Sequence, residues 1–421
     1  MRPVGTALFS DDLWSTLEAA ETRCDAQVAR NEPECIRLRR HLHSHPEPSG
    51  EERETSQFIM NCLGEAGLQP RLGGTGVGVI VDQTIGNPRP DSPLIAIRGD
   101  IDALRIPDAK HVEYKSKYPN LSHACGHDAH VTILLGAALS VAGMNGEAAL
   151  EDVHGLRLRY LFQPAEETSE GAAWLVEQGV LEGVDGILGL HVDPERQAGT
   201  VGIRYGVLTA FCDDVEIEIE GRGGHAARPH HTVDPIATAA HLLNSLYGLL
   251  PRSIDSRNPS VLTFGRIHGG SAPNVVSERV SLAGTLRTTD AHSRETLMER
   301  VRSICAGIEH NTGATLIVNF TKPLPAVDNH PRVAAALEAA SRRVLGPENV
   351  GLIDRPSMGG EDFAIYLKHV PGALLRLGCC GPSGDSPFLH SPKFDIDERV
   401  LALGSRILLR AAWLLSLKSP E

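Results

Sequence analysis

The chain has 421 residues, 41% hydrophobic and 22% charged, with a formal net charge of −13 from 40 Lys+Arg against 53 Asp+Glu. That length predicts two domains rather than one core. The acidic balance, with no run of Lys or Arg, excludes nucleic acid as the main partner, because phosphate binding needs a basic patch.

In chain order, apolar residues recur at helical spacing over Asp11 to Leu42, and Asn31-Glu32-Pro33 predicts a stop and a fresh start there. Helical pattern returns at Glu51 to Ala66. Short apolar runs follow, each ended by polar residues: Val77 to Val81, Leu94 to Ile97 running into Asp100 and Asp102, Leu156 to Phe162 running into Glu166 and Glu167, and Gly186 to Leu190 running into His191. Helical stretches lie between them at Val131 to Ala142 and Gly171 to Glu177. Strands alternating with helices predict an α/β domain with a mostly parallel sheet.

The middle of the chain changes character. Asp213 to Glu220 alternates Val215, Ile217 and Ile219 with acidic residues, the pattern of a half-exposed strand. Asp234-Pro235 opens a helix that runs to about Leu250, with Asp as cap and Pro in the first turn. Strands are expected at Val261 to Ile267, Val280 to Arg287 and Thr315 to Phe320, and a helix at Ser293 to Asn311. This β-α-β-β-α-β order is ferredoxin-like. It predicts an inserted α+β domain over 209–321, with residues 1–208 and 322–421 forming the catalytic domain. Val400 to Leu417 is apolar but interrupted by Arg406 and Arg410, so it reads as a packed terminal helix rather than a membrane span.

The N-terminal stretch carries Asp11, Asp12 and Glu18 and lacks a long apolar core, which predicts no signal peptide and a cytoplasmic location. The eight cysteines are then expected as free thiols or metal ligands, not disulfides.

The densest chemical cluster is His123-Ala124-Cys125-Gly126-His127-Asp128-Ala129-His130. Thiolate and imidazole together suit Zn²⁺, Co²⁺, Mn²⁺ or Ni²⁺ better than Ca²⁺. The competing reading is a polar helix start with a buried structural cysteine. Adjacent acids such as Glu166-Glu167 are usually solvated, and His191 and His390 alone carry no signal. Ligands of open α/β sheets gather beyond the carboxyl ends of strands, however, where Asp100, Asp102, Glu166, Glu167 and His191 would meet. No nucleophile elbow, Walker loop or dinucleotide-binding glycine pattern competes with this reading.

Several ordered blocks carry a family resemblance. They include Arg39-Arg40-His41-Leu42-His43-Ser44-His45-Pro46-Glu47, Arg98-Gly99-Asp100-Ile101-Asp102-Ala103-Leu104, the His123 cluster and Phe162-Gln163-Pro164-Ala165-Glu166-Glu167. Gly189-Leu190-His191-Val192, Gly223-Gly224-His225-Ala226, Gly284-Thr285-Leu286-Arg287, Gly359-Gly360-Glu361-Asp362-Phe363 and His390-Ser391-Pro392 continue the series. With them, the chain resembles the aminoacylase-like metal amidohydrolases, which include hippurate hydrolase, auxin–amino acid hydrolases and N-acetyldiaminopimelate deacetylase. The resemblance implies a dinuclear site for two divalent metal ions (Mn, Zn, Co or Ni) held by Cys125, His127, Glu167, His191 and His390. It implies Glu166 as general base and acid, Asp102 as a residue orienting a ligand, and His225 as a catalytic histidine of the inserted lid domain, often reaching the partner's site. Asn274 and Arg287 are implied as substrate-binding, and the lid as the dimerisation domain of a homodimer.

The implied reaction is hydrolysis of the amide of an N-acyl amino acid. Alternation along extended backbone is expected to point Glu166 and Glu167 to different jobs. The alternatives are a dipeptidase or carboxypeptidase on the same scaffold, and a non-catalytic binding homologue, which would be expected to have lost a ligand or the base. The chain departs from the pattern at Arg105-Ile106-Pro107, where relatives have proline directly after the leucine, and at Ala129, where glycine is common. Neither departure touches a proposed ligand or the base.

Overall fold

The computed structural model describes residues 9, 11–86, 88, 91–145, 155–381 and 387–417. Two compact units emerge: Met1–Gly206 with Val327–Asp354 and Asp362–Glu421, and Val207–Ala326 with Arg355–Glu361. The first unit begins with α1 (Asp11–Ser44), α2 (Arg53–Glu65), β1 (Arg71–Leu72), β2 (Val79–Ile85), β3 (Leu94–Asp100) and α3 (His127–Asn145). It continues with β4 (Leu156–Gln163), α4 (Gly171–Glu177), β5 (Val184–Gln197) and β6 (Val201–Ile203). The second unit holds β7 (Phe211–Glu220), α5 (Pro235–Leu249), β8 (Ser260–Gly269), β9 (Arg279–Thr288), α6 (Ala291–Thr312) and β10 (Thr315–Leu324). The chain then returns to the first unit through α7 (Pro331–Leu345), β11 (Val350–Leu352), β12 (Gly372–Cys380) and α8 (Arg399–Ser416).

The first unit is built on an eight-stranded sheet of order β1-β2-β4-β3-β5-β12-β6-β11. Its centre, β4, β3, β5 and β12, is parallel, while β2 and β6 join antiparallel. Every residue of β3 is buried, as a central strand of a sheet covered on both faces requires. Helices α1, α3, α7 and α8 supply the apolar side chains of this core, among them Leu38, Leu134, Leu337 and Trp413.

Three local expectations need correction. Pro33 lies inside α1 and does not break it. Val28, Cys35, Leu38 and Leu42 form buried positions on both sides of the proline, and keeping that face packed outweighs the ~3 kcal/mol a mid-helix proline costs. Asn31 Nδ2 also ties this turn to Ser140 Oγ at 3.2 Å. Strand β5 runs well past Leu190, so His191 sits within it rather than beyond its end, because β12 continues to pair with it as far as Gly378 and Asp193. Glu166 and Glu167 occupy a turn, not extended backbone, and both carboxylates reach the same histidine, as described below.

The second unit is a four-stranded antiparallel sheet of order β8-β9-β7-β10. Val215, Ile217, Ile219, Leu282 and Leu286 face Leu242, Leu246, Leu297 and Val301 of its two helices. Asp234 caps α5 by accepting from Ile236 N and Ala237 N at 2.9 and 3.3 Å. Among the described residues no helix is long and apolar enough to cross a membrane.

Candidate metal centre

Strand β3 delivers Asp100 and, just beyond it, Asp102. Ile101 N donates to Gln163 O at 2.9 Å, which keeps this segment beside the end of β4 and the turn that follows. That turn is tight. Ala165 has φ +53°, a left-handed conformation that is costly for a residue with a Cβ. Its N–H donates to Glu52 Oε1 at 2.8 Å, and Glu170 N and Gly171 N close on its carbonyl at 3.2 and 3.1 Å. Glu166 and Glu167 are thus carried on a strained, anchored backbone, a feature that clusters at functional sites.

The His123 cluster forms the loop and first turn of α3. Gly126 has φ +86°, and a Cβ there would lie 2.4 Å from Val192 Cγ2. Only glycine brings Cys125 and His127 onto β5 at this distance. His127 Nδ1 donates to Asp102 Oδ1 at 3.0 Å, leaving Nε2 to face the site. Asp102 also accepts from Ser49 Oγ at 2.7 Å and from Glu167 N at 3.0 Å, both through Oδ2. One carboxylate therefore sets the ring of His127 and the backbone of Glu167 together.

The remaining donors converge on the same place. Cys125 Sγ is 3.5 Å from His191 Nε2, and His191 Nδ1 donates to Val192 O at 2.7 Å. His127 Nε2 lies 3.9 Å from both Glu166 Oε2 and Glu167 Oε1. His390, on a φ +63° residue whose N–H donates to Ala124 O at 2.8 Å, puts Nε2 3.6 Å from Glu167 Oε1. Donor atoms group as Cys125, His127 and His191, as Cys125, Glu167 and His390, and as His127, Glu166 and Glu167, each set lying within 4.8 Å. His127 Nε2 and Glu167 Oε1 are buried with no hydrogen-bond partner. Orphaned buried polar atoms are rare in folded proteins. Soft thiolate, neutral imidazole and carboxylate form a donor set for a first-row divalent metal, so the residues present fit such an ion.

Electrostatics point the same way. Burial pushes the Cys125 thiol up and raises Glu167, and burial together with Arg376 pushes His191 down. Burial works against a charged His127, but Asp100, Cys125 and Asp102 outweigh it and hold its pKa well above the ordinary value. A divalent cation would supply the positive charge that the proton on His127 supplies without it, so binding is coupled to proton release.

Other members of the cluster do different work. His130 donates through Nδ1 to Asp100 Oδ1 and accepts Val192 N at 2.9 Å through Nε2, so both ring nitrogens are used. Asp100 Oδ2 is held by Arg98 at 2.7 Å, and Arg98 also binds Asp362 at 2.7 Å. His123 is buried with neither ring nitrogen hydrogen-bonded, and burial pushes it down to about 4, so it is neutral. Arg39, fully buried, bridges Asp128 at 2.8 Å and Asp395 at 2.7 Å. It ties the turn bearing His127 to the loop bearing His390. Lys110 adds to that tie by donating to Phe394 O at 2.8 Å. Sequence reasoning gave no role to Arg39, Lys110, Arg98, Gln163 or Asp362. Apart from Lys110 they stand in the quoted motif blocks, which was the only signal.

The residues expected to bind substrate or act from the lid lie in the second unit. His225, exposed, sits on a two-residue ladder with Val275, and its Nδ1 accepts from Ala227 N at 3.0 Å. Asn274 is its neighbour, through Ala226 N to Asn274 O at 3.1 Å. Arg287 is not brought to them. It lies near the far end of β9, eight residues from Arg279 and so roughly 27 Å along the strand at ~3.4 Å per residue. There its Nη1 donates to Met358 O at 2.8 Å.

Comparison with known proteins agrees with this architecture. The chain is 41% identical over 385 residues to a probable hydrolase of Synechocystis sp., covering 90% of this chain and 95% of that protein. It is 37% identical over 382 residues to N-acetyl-L-cysteine deacetylase of Bacillus subtilis, covering 90% and 88%. Among solved structures, a dinuclear metal-binding peptidase of Bacillus subtilis superposes with a TM-score of 0.79 at 32% identity, over 92% of this chain and 99% of that one. A putative aminohydrolase from methicillin-resistant Staphylococcus aureus gives 0.84 at 28% identity, over 94% and 100%. The sequence pattern of Peptidase family M20/M25/M40 matches residues 96–413, and with the relatives above it shows that this chain belongs to that family.

Proposed function

We propose that the chain is a metal-dependent hydrolase that cuts the amide bond of N-acyl amino acids. The observation that carries this is the convergence of Cys125, His127, Glu167, His191 and His390 beside Glu166, with His127 Nε2 and Glu167 Oε1 buried and unpartnered. In this reading Cys125, His127, Glu167, His191 and His390 would together hold two divalent ions. Ions bound there would supply a water of lowered pKa and polarise the amide carbonyl. Glu166 takes the proton of the attacking water and returns it to the leaving amine, which suits a largely buried carboxylate within reach of the site. Asp102 keeps Nε2 of His127 free for the metal by holding the proton on Nδ1.

The second unit serves as lid, with 209–321 as the inserted domain and 1–208 and 322–421 as the catalytic one. His225 donates to the developing oxyanion, and Asn274 and Arg287 bind the substrate. An N-acyl amino acid is much shorter than the ~27 Å of strand between Arg279 and Arg287. The His225 ladder precedes Arg279 and Arg287 lies near the other end of β9, so this reading takes one of the two residues from the partner of a homodimer. The same reading places the protein in the cytoplasm. The binding-homologue alternative has nothing in its favour, because all six positions are filled. A carboxypeptidase is the second reading, favoured by 33% identity over 382 residues to thermostable carboxypeptidase 2 of Saccharolobus solfataricus.

The test is to strip the protein with chelator and restore Mn²⁺, Zn²⁺, Co²⁺ or Ni²⁺ one at a time. Amine release is then followed from N-acetyl and N-benzoyl amino acids and from peptides. Metal-dependent release is expected. Glu166→Gln should lower it at least ~100-fold, the scale of general acid–base catalysis, while metal still binds. Release that survives this substitution would remove Glu166 from the mechanism. Faster cleavage of peptides than of N-acyl amino acids would favour the carboxypeptidase.

A further inference from the structure

Strand β12 is buried at eight of its nine residues, and the exception is Arg376. Arg376 is also the strand's only charged residue. It pairs in parallel register with His191 of β5. Paired residues of a parallel ladder project their side chains to the same face, and neighbouring strands lie ~4.8 Å apart. The Arg376 side chain therefore leaves the sheet on the same face as His191, a donor of the candidate metal centre, at the one residue of this strand that is not fully buried.

No hydrogen bond or ion pair joins the Arg376 side chain to any other side chain among the described residues. Asp193, two residues beyond His191 on β5, is engaged elsewhere, accepting from Arg196 Nε at 3.1 Å and from Glu195 N at 3.0 Å. Arg196 in turn lies over Gly202, its guanidinium carbon 2.7 Å from where a Cβ would stand, and Gly202 is the other strand partner of Arg376. A half-buried arginine without a partner among the described residues is costly. One next to a site for divalent cations is costlier still, because the charges repel. A bound anion removes both penalties, and arginine's planar fork matches a carboxylate.

We propose that Arg376 receives a second carboxylate of the substrate, so that the enzyme selects N-acyl amino acids carrying two negative charges. This rests on the amidohydrolase reading above. The second charge can come from a dicarboxylic acyl group or from an acidic amino acid, and the two are separable by experiment.

With the full chain restored with Mn²⁺, kcat/KM is measured for N-acetylglycine, N-succinylglycine and N-acetylglutamate. Wild type is expected to favour one of the doubly charged substrates, and which one identifies the source of the charge. Arg376→Met should reduce that substrate about 10- to 100-fold, the scale of a hydrogen bond to a charged group. Because Arg376 also acts on the donor His191, N-acetylglycine should fall as well but by a clearly smaller factor, and Arg376→Lys should fall between wild type and Arg376→Met. Equal rates on all three substrates in wild type, or an equal loss on all three in Arg376→Met, overturns the proposal. Should wild type cleave none of them, binding of succinate and acetate to the metal-restored protein is compared by calorimetry. Preference for succinate that Arg376→Met abolishes upholds the anion site and sinks only the hydrolase reading. Absence of that preference sinks the anion site itself.

Discussion

Replacing Asp102 with asparagine tests how the centre is held together. Asp102 accepts three hydrogen bonds: from His127 Nδ1 at 3.0 Å, from Ser49 Oγ at 2.7 Å and from Glu167 N at 3.0 Å. Despite burial, which opposes ionisation, the bonds from His127, Ser49 and Glu167 keep its pKa below the ordinary value. An asparagine can be placed two ways. With its oxygen toward His127, its NH₂ meets the N–H of Glu167, two donors face to face, and Glu167 loses its anchor. With its NH₂ toward His127, it meets an Nδ1–H that the Asp102 carbonyl, at 3.1 Å, still holds in place, so either two donors face each other or the ring proton moves to Nε2 and blocks the nitrogen aimed at the site. Either way one donor is lost or misplaced. Metal affinity should fall about 10- to 100-fold, or about 1.4–2.7 kcal/mol. The measurement is chelator-competition titration of Mn²⁺ or Zn²⁺ on wild type and Asp102→Asn, with melting of both metal-free proteins alongside. Affinity within twofold of wild type, in a variant that melts normally without metal, would refute the argument that Asp102 sets the tautomer of His127.

Two further substitutions probe the supports of the site. Glu52 is buried, with Oε1 accepting Ala165 N and Oε2 unpartnered, and burial pushes its carboxyl up from 4.5 to about 7. The folded chain then binds this proton more tightly than the unfolded chain, so stability is present below pH ~4.5 and is lost as pH rises toward ~7, by roughly 3 kcal/mol. Glu52→Gln should therefore match wild type near pH 4.5 and exceed it by up to that amount at pH 8 in metal-free melts; an offset that does not change with pH would show that ionisation is not the cause. Arg39→Met leaves Asp128 and Asp395 without their buried cation, and Asp128 Oδ1 already lacks a partner. Urea unfolding should show a loss of about 3–5 kcal/mol, and a loss under 1 kcal/mol would mean that the aspartates find other partners or water.

What the sequence revealed and what it hid divide along a physical line. Alternation in Asp213 to Glu220 is visible because each residue's face is fixed by its own strand, and the Asp234-Pro235 cap is visible because its bonds span three residues. From these local signals the ferredoxin-like order could be read without any knowledge of pairing. The Cys125 and His127 pair was likewise legible, since both donors lie on one turn. The supports are not local. Arg39 meets Asp128 across 89 positions and Asp395 across 356, Arg98 meets Asp362 across 264, and Glu52 reaches Ala165 across 113. No periodicity encodes such distances, so these residues appear in a sequence only as members of motifs without stated jobs. Pro33 fails as a helix stop for a related reason: its local cost is fixed, whereas the packing that offsets it is decided by α3 and α8, a hundred and more residues away. Glu166 and Glu167 show the sharpest form of the problem. Their shared direction depends on Ala165 holding φ +53°, and that strain persists only because Glu52 and Asp102, distant in sequence, bind the N–H groups on either side of Glu166. The chemistry of the site is thus specified by residue types that a sequence displays. Its geometry is specified by buried charges that become interpretable only when the fold brings their partners to them.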